Sequence, residues 1–340
     1  MASTLRRLKR SGLTMPIVTP RFINNAWHRG CDYINMDLED SVPPHLKDAA
    51  RNLVRESIPV VNKGGADAVC RINHDLMEAD LNAAIWPGLM QVNYPKAEYR
   101  HEIQRMDAII TRLEAERGIR PGTVEIGANI ETAVGVANAY EIVTASPRVR
   151  EFGGAAGYDM SRDLGVEMFV PFDQFVYGKG EVELAARAAG REPHASPFTP
   201  NITGSVSDPD RAFAEADAAR KCGFRIGGGL HPAVVEPQIR GFAPSDDEIS
   251  DAQWVLQEYR NLVRTGETWV QIDVSSVDRE TSPRPMVADS YLGRHRVIDR
   301  YEAARAEELL HWQSLCQERD QEKAEAIDRV RATEAAESPS

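Results

Sequence analysis

Apolar positions along the chain fall into short runs separated by stretches with helical spacing. The runs Leu13–Val18, Cys31–Leu38, Asp67–Ile72, Gly88–Tyr94, Val124–Ile130 and Glu151–Ala156 have strand length and predict buried strands. Pro193–Phe198 is a weaker seventh run and Phe224–Leu230 an eighth. Between them, spacing predicts helices over Phe22–Arg29, Leu46–Ser57, Leu76–Ile85, Ala97–Arg117, Ala133–Ala145, Gln174–Ala189 and Pro209–Lys221. Eight such alternations predict an α/β fold, a closed TIM (β/α)8 barrel, with an open doubly wound sheet as the rival. No glycine-rich dinucleotide loop follows the first run, which removes that rival's commonest functional version.

After Gly266 the pattern changes. Asp273–Pro285 is polar and turn-rich, and from Val297 onward the chain reads as one long helix with an apolar patch at Leu309, Leu310, Trp312 and Leu315. The expected division is a barrel domain over 1–265. Residues 266–340 would form a polar linker and a C-terminal helical extension, serving as a lid or an oligomerisation helix.

Composition narrows the partners. A net charge of −12 over 340 residues argues against nucleic acid and anionic membrane, both of which select positive fields. The four cysteines, Cys31, Cys70, Cys222 and Cys316, form no metal-ligand or disulfide pattern. The basic start lacks the apolar core of a signal peptide, and no apolar run reaches membrane-spanning length, so the expected location is cytoplasmic.

Candidate chemistry begins at Asp37, Glu39 and Asp40, three acids at the carboxyl end of the second run. Ligands of α/β sheets bind at that edge, and a buried acid costs solvation unless a cation or N–H group receives it. Arg71 ends the third run and could present its fork to a substrate carboxylate, or simply pair with one of these acids. Lys96, after the fourth, is a second cation at the same edge. Glu131 and Asp159 follow the fifth and sixth runs and are the best candidates to share a divalent ion. Their oxygens favour Mg2+ or Mn2+. The competing reading makes each a helix cap, near Thr132 and Ser161. His231, behind the triple glycine Gly227–Gly229, could act in proton transfer or by hydrogen-bonding a neighbour.

Taken in order, these residues resemble the citrate lyase beta-subunit-like branch of the HpcH/HpaI aldolase family, which includes malyl- and citramalyl-thioester lyases. The resemblance rests on Arg10-Ser11, Pro20-Arg21-Phe22, Asp37-Leu38-Glu39-Asp40, Val42-Pro43-Pro44 and Lys47-Asp48-Ala49-Ala50-Arg51. It continues through Arg71-Ile72-Asn73, Pro95-Lys96, Ile130-Glu131-Thr132-Ala133 with Gly135-Val136, and Ala145-Ser146-Pro147-Arg148-Val149. Asp159 to Gly165, His231-Pro232 and Phe242-Ala243-Pro244-Ser245 complete it. The resemblance implies a TIM barrel assembled as homotrimers or homohexamers. It also implies Mg2+ on Glu131 and Asp159, and Arg71 on the substrate carboxylate. Asp37, Glu39 and Asp40 would be an acidic wall supporting Arg71 and metal-bound water, with Gly157, Tyr158 and His231 beside the substrate.

The implied reaction is metal-dependent cleavage of a carbon–carbon bond in a small 3-hydroxy acid or its CoA thioester, giving a 2-oxo acid and an acetyl- or acyl-type product. Two departures bear on the thioester. The first run reads Thr14-Met15-Pro16-Ile17-Val18 where relatives carry Phe-Val-Pro-Gly, and Gly227-Gly228-Gly229 lacks their Gly-Lys. The alternatives are an aldolase acting on CoA-free 4-hydroxy-2-oxo acids, a malyl- or citramalyl-type thioesterase, and a non-catalytic assembly subunit.

Overall fold

A computed structural model describes residues 8–167, 174–194, 207–273 and 295–337. One compact unit comprises Met1–Phe242 with Gln321–Ser340, and a second comprises Ala243–Asp320.

In the first unit strands and helices alternate. β1 (Gly12–Pro16) leads to α1 (Pro20–Asn24), β2 (Tyr33–Asp37) to α2 (Lys47–Asn62), and β3 (Asp67–Arg71) to α3 (Met77–Ala84). β4 (Leu89–Tyr94) leads to α4 (Arg100–Glu116), and β5 (Glu125–Ile130) to α5 (Ala133–Ala137) and α6 (Ala139–Val143). β6 (Val149–Gly154) leads to α7 (Gly157–Leu164) and α8 (Val176–Ala188), and β7 (Glu192–His194) precedes α9 (Pro209–Lys221) and α10 (Val235–Phe242). The strands are short and almost wholly buried, as parallel strands covered by helices must be. Ile34, Met36, Ala68, Cys70, Val92, Ile126, Ala128 and Phe152 build the core along them.

The closed eight-stranded barrel expected from the sequence is not what forms. The described residues make a seven-stranded sheet in the order β1 to β7, each neighbouring pair parallel. The segment expected as the eighth strand, Phe224–Leu230, makes isolated bridges instead of a ladder, Ile226 with Lys9 just before β1 and Gly229 with Leu13 within it. Its triple glycine explains the irregularity. A Cβ on Gly227 would stand 2.6 Å from the Phe242 ring and one on Gly229 2.5 Å from Val234, so close packing replaces a regular pleat. The seventh expected run is likewise shorter. β7 has three residues, and 195–198 lie outside the described residues.

Helix limits moved for identifiable reasons. The helix expected to stop at Ser57 runs on through Pro59 to Asn62, because Ile58 and Val61 are buried and reward the extra turn. The stretch Ala133–Ala145 splits at Asn138, whose Nδ2 donates to the Glu98 carbonyl at 2.9 Å.

At the amino edge of the sheet, Asp32 accepts from Arg10 Nε at 2.9 Å and from Lys323 Nζ at 2.7 Å. Lys323 also donates to the Gly30 carbonyl at 2.9 Å. The last turns of the C-terminal helix are therefore held at the edge opposite the acids. Lys9 sits among Gln91, Glu125 and Glu151 inside the same end.

In the second unit α11 (Asp246–Thr265) opens with a capping box between Ser245 and Glu248 and stops at left-handed Gly266. β8 (Trp269–Asp273) pairs antiparallel with β9 (His295–Asp299), which leads into α12 (Arg300–Glu337). Val297, expected to begin a helix, instead lies in β9. The helix begins after Asp299, whose Oδ1 accepts from the N–H groups of Tyr301 and Glu302. Trp254, Val255, Ile298 and Ala306 form this unit's small core. Most of the expected polar stretch Asp273–Pro285 lies outside the described residues. Among those described, no helix is long and apolar enough to cross a membrane.

Candidate active site

Parallel register sets the site. Asp37 and Arg71 are partners on β2 and β3, each the last residue of its strand. Arg71 donates from Nε to Asp37 Oδ1 at 2.7 Å and from Nη2 to Oδ2 at 2.8 Å, a bidentate clamp. Asp37 also accepts from Ser41 and from the Glu39 N–H. Burial alone would push its carboxyl up, but Arg71 and these donors outweigh it and hold it below the usual range.

Glu39 lies two residues on, almost fully buried, between two cations. Its Oε2 is 3.1 Å from Arg71 Nη1 and its Oε1 accepts from Lys96 Nζ at 2.6 Å. Burial nonetheless keeps its carboxyl above the ordinary value. The loop carrying it is pinned by Lys47, whose ammonium donates to the carbonyls of Leu38 and Glu39, each at 2.7 Å.

Beyond Lys96, β5 and β6 deliver the other acids. Glu131 follows Ile130, and its Oε2 accepts the Lys96 backbone N–H at 3.1 Å. Burial raises its carboxyl to about 7; Lys96 and Arg71 outweigh the repulsion of Glu39 and Asp159 but do not offset the burial. Asp159, in the first turn of α7, lies 3.5 Å from Lys96 Nζ and 2.9 Å from Arg162 Nη2. Two non-glycine residues with left-handed backbone flank this array, Lys96 at φ 50° and Ala155 at φ 56°. Such conformations concentrate where surrounding structure imposes a functional geometry. Gly154, at φ 117°, brings the backbone so near the Ile130 carbonyl that a Cβ would stand 2.3 Å from it.

The structure thus brings Asp37, Glu39, Arg71, Lys96, Glu131 and Asp159 into one charged array. Asp40 sits at its rim, 4.0 Å from Lys96 Nζ and mostly exposed. Gly157 begins α7, and Tyr158 beside it is exposed. His231 is also exposed, and its Nδ1 accepts from the Ala233 N–H at the start of a short 3-10 turn. Capping of α5 falls to Thr132, whose hydroxyl accepts from Gly135, so Glu131 is released from that duty. Arg162 was not foreseen. Its spacing of three residues from Asp159 on a helix was the available signal. Beside the array opens a cavity of about 440 Å³, lined in part by Glu39, Asp40, Lys47, His74, Asp75 and Lys96.

Residues 10–228 match the family model described as HpcH/HpaI aldolase/citrate lyase. The chain belongs to this family. Citrate lyase subunit beta of Leuconostoc mesenteroides subsp. cremoris is 30% identical over 296 residues, 86% of this chain and 96% of that protein. L-malyl-CoA/beta-methylmalyl-CoA lyase of Rhodobacter capsulatus is 27% identical over 276 residues, 74% of this chain and 84% of that one. Among solved structures, the CitE protein of Mycobacterium tuberculosis with magnesium, acetoacetate and coenzyme A aligns with a TM-score of 0.65 at 22% identity. It covers 91% of this chain and 100% of that one. These relatives place the chain in the citrate lyase beta and malyl-CoA lyase branch.

The donor set can be tested against the divalent ion this family implies. Among the described residues no group of three or more His, Cys, Asp or Glu has a metal-holding arrangement. Glu131 and Asp159 both lie against Lys96, one accepting its backbone N–H and the other 3.5 Å from its ammonium, and could be offered as a pair. That suits magnesium, which keeps several waters and takes one or two carboxylates beside its substrate's oxygens. A half-buried carboxyl raised to about 7 by desolvation is one whose charged form a bound cation would stabilise. The residues fit.

Proposed function

We propose that the protein cleaves the carbon–carbon bond of a small 3-hydroxy acid, or its thioester, and releases a 2-oxo acid, with Mg2+ held by Glu131 and Asp159. The observation that carries this reading is the clamp of Asp37 on Arg71 beside those two acids. Two of the five guanidinium N–H donors bond Asp37, and Nη1 pairs with Glu39 Oε2 by charge at 3.1 Å without a hydrogen bond, which leaves donors on both terminal nitrogens for a substrate carboxylate. Asp37 fixes the fork's plane, so the carboxylate is received in one orientation. When bound, the metal would act as a Lewis acid on the oxygens of the 2-oxo acid half. Glu39 and Lys96 keep the surrounding charge close to balanced, and Lys47 keeps Glu39 in place. The enzyme is further proposed to be cytoplasmic and to work as a homotrimer or homohexamer, which light scattering of the purified protein tests.

Glu131→Gln tests the metal assignment. It should abolish Mg2+-dependent release of the 2-oxo acid and weaken Mn2+ binding at least about tenfold, with the fold intact. Unchanged binding and turnover would refute the assignment.

A second reading has a specific observation in its favour. The cavity beside the array carries Glu39, Asp40, Asp75 and Glu98 against Lys47 and Lys96, and Lys47 is committed to two carbonyls. That lining does not suit the phosphates of a coenzyme A thioester and favours cleavage of a CoA-free 4-hydroxy-2-oxo acid. Pyruvate or glyoxylate released from free acids would support it, and a response to thioesters alone would defeat it.

A further inference from the structure

We infer that Lys96 is a positioning residue that stands in the cation place between Glu39 and Asp159, yields that place to the divalent ion, and by its charge sets how weakly the ion is held. The inference rests on the proposed metal role of Glu131 and Asp159. Its ammonium donates to Glu39 Oε1 at 2.6 Å and lies 3.5 Å from Asp159 Oδ1 and 4.0 Å from Asp40 Oδ2. Three acids thus converge on one flexible amine. The other cations at the site are differently placed. Arg71 is locked to Asp37 by two hydrogen bonds, while the Arg162 side chain is 78% exposed and its charge is screened by water.

The two ends of Lys96 have separate tasks. The backbone is fixed, with φ at 50° and its N–H on Glu131 Oε2 at 3.1 Å, which orients a proposed ligand. The side chain is a four-carbon stem with a compact charge at its tip, free to swing while the backbone contact persists. With no divalent ion bound, the ammonium neutralises acids that would otherwise repel one another. A divalent ion held by the same acids would be repelled by that ammonium's charge.

The test uses the full-length protein and Mn2+, with free ion followed by electron paramagnetic resonance in the absence of substrate. Lys96→Met keeps the backbone contact and removes the charge, and it should tighten the Mn2+ dissociation constant roughly tenfold or more. Lys96→Arg keeps the charge and should stay within about threefold of the parent. Lys96→Gln replaces Lys96→Met should the latter not fold, as judged by thermal melting in chelator. Unchanged or weaker binding in the neutral variant overturns the inference. Glu131→Gln, measured alongside, separates the two levels. If it weakens Mn2+ binding while Lys96→Met does not tighten it, the metal assignment stands and the role of Lys96 falls. If neither variant alters binding, both fall.

Discussion

Asp37 and Arg71 are register partners on adjacent parallel strands, joined by two hydrogen bonds of 2.7 and 2.8 Å. Asp37→Asn preserves shape and removes the charge that orients the fork. Steady-state kinetics should show kcat/KM for the acid substrate reduced about 10- to 100-fold, carried mainly by KM, since charge-assisted bonds are worth roughly 1.5–3 kcal/mol. An unaltered KM would show that Arg71 does not meet the substrate.

The half-buried Glu131 carboxyl gives the metal-free protein a pH dependence of definite sign. Its value in the folded protein, about 7, lies above the ordinary 4.5. Between those values the folded state binds more protons than the unfolded state, so this residue's contribution to stability falls as pH rises from 4.5 to 7 and is level above it. A divalent ion needs the charged form. The rise in Tm on adding Mg2+ should therefore be larger at pH 8 than at pH 6, as measured by calorimetry. An equal or smaller rise at pH 8 would contradict the assignment.

Lys323 ties the end of the C-terminal helix to the amino edge of the sheet through Asp32 and the Gly30 carbonyl. Lys323→Met removes this anchor but leaves Arg10 on Asp32, so the loss should be about 2 kcal/mol, less than for a fully orphaned buried charge. Denaturant unfolding measures it. Metal binding at the opposite edge should be unchanged, and a large change there would mean that the two edges are coupled.

Several elements were legible because their signals are local. β2 and β3 lie within the predicted runs, because their short apolar clusters, Tyr33, Ile34 and Met36 in one and Ala68, Val69 and Cys70 in the other, mark buried strands or core helices. Asp37, Arg71, Glu131 and Asp159 could be singled out because charged residues at strand ends need partners. The β8–β9 pair was missed, since its strands are separated in sequence and only Val270, Ile272, Val297 and Ile298 mark them. The extension of α2 through Pro59 to Asn62 was not legible, because a breaker's local cost says nothing of the buried area a longer helix gains.

Sequence by itself determined the alternation of strands and helices, the family, and the identities of the acids and the arginine at the carboxyl edge. Tertiary structure alone decided how these charges are shared. The three acids of 37–40, first legible as a single feature, divide into separate roles. Asp37 clamps Arg71, Glu39 bridges Arg71 to Lys96, and Asp40 stands at the exposed rim. Structure also decided that Phe224–Leu230 meets β1 through isolated bridges rather than as an eighth strand. The physical reason is common to both. Burial and charge pairing depend on distances across strands far apart in sequence, and hydrophobic spacing carries no record of them.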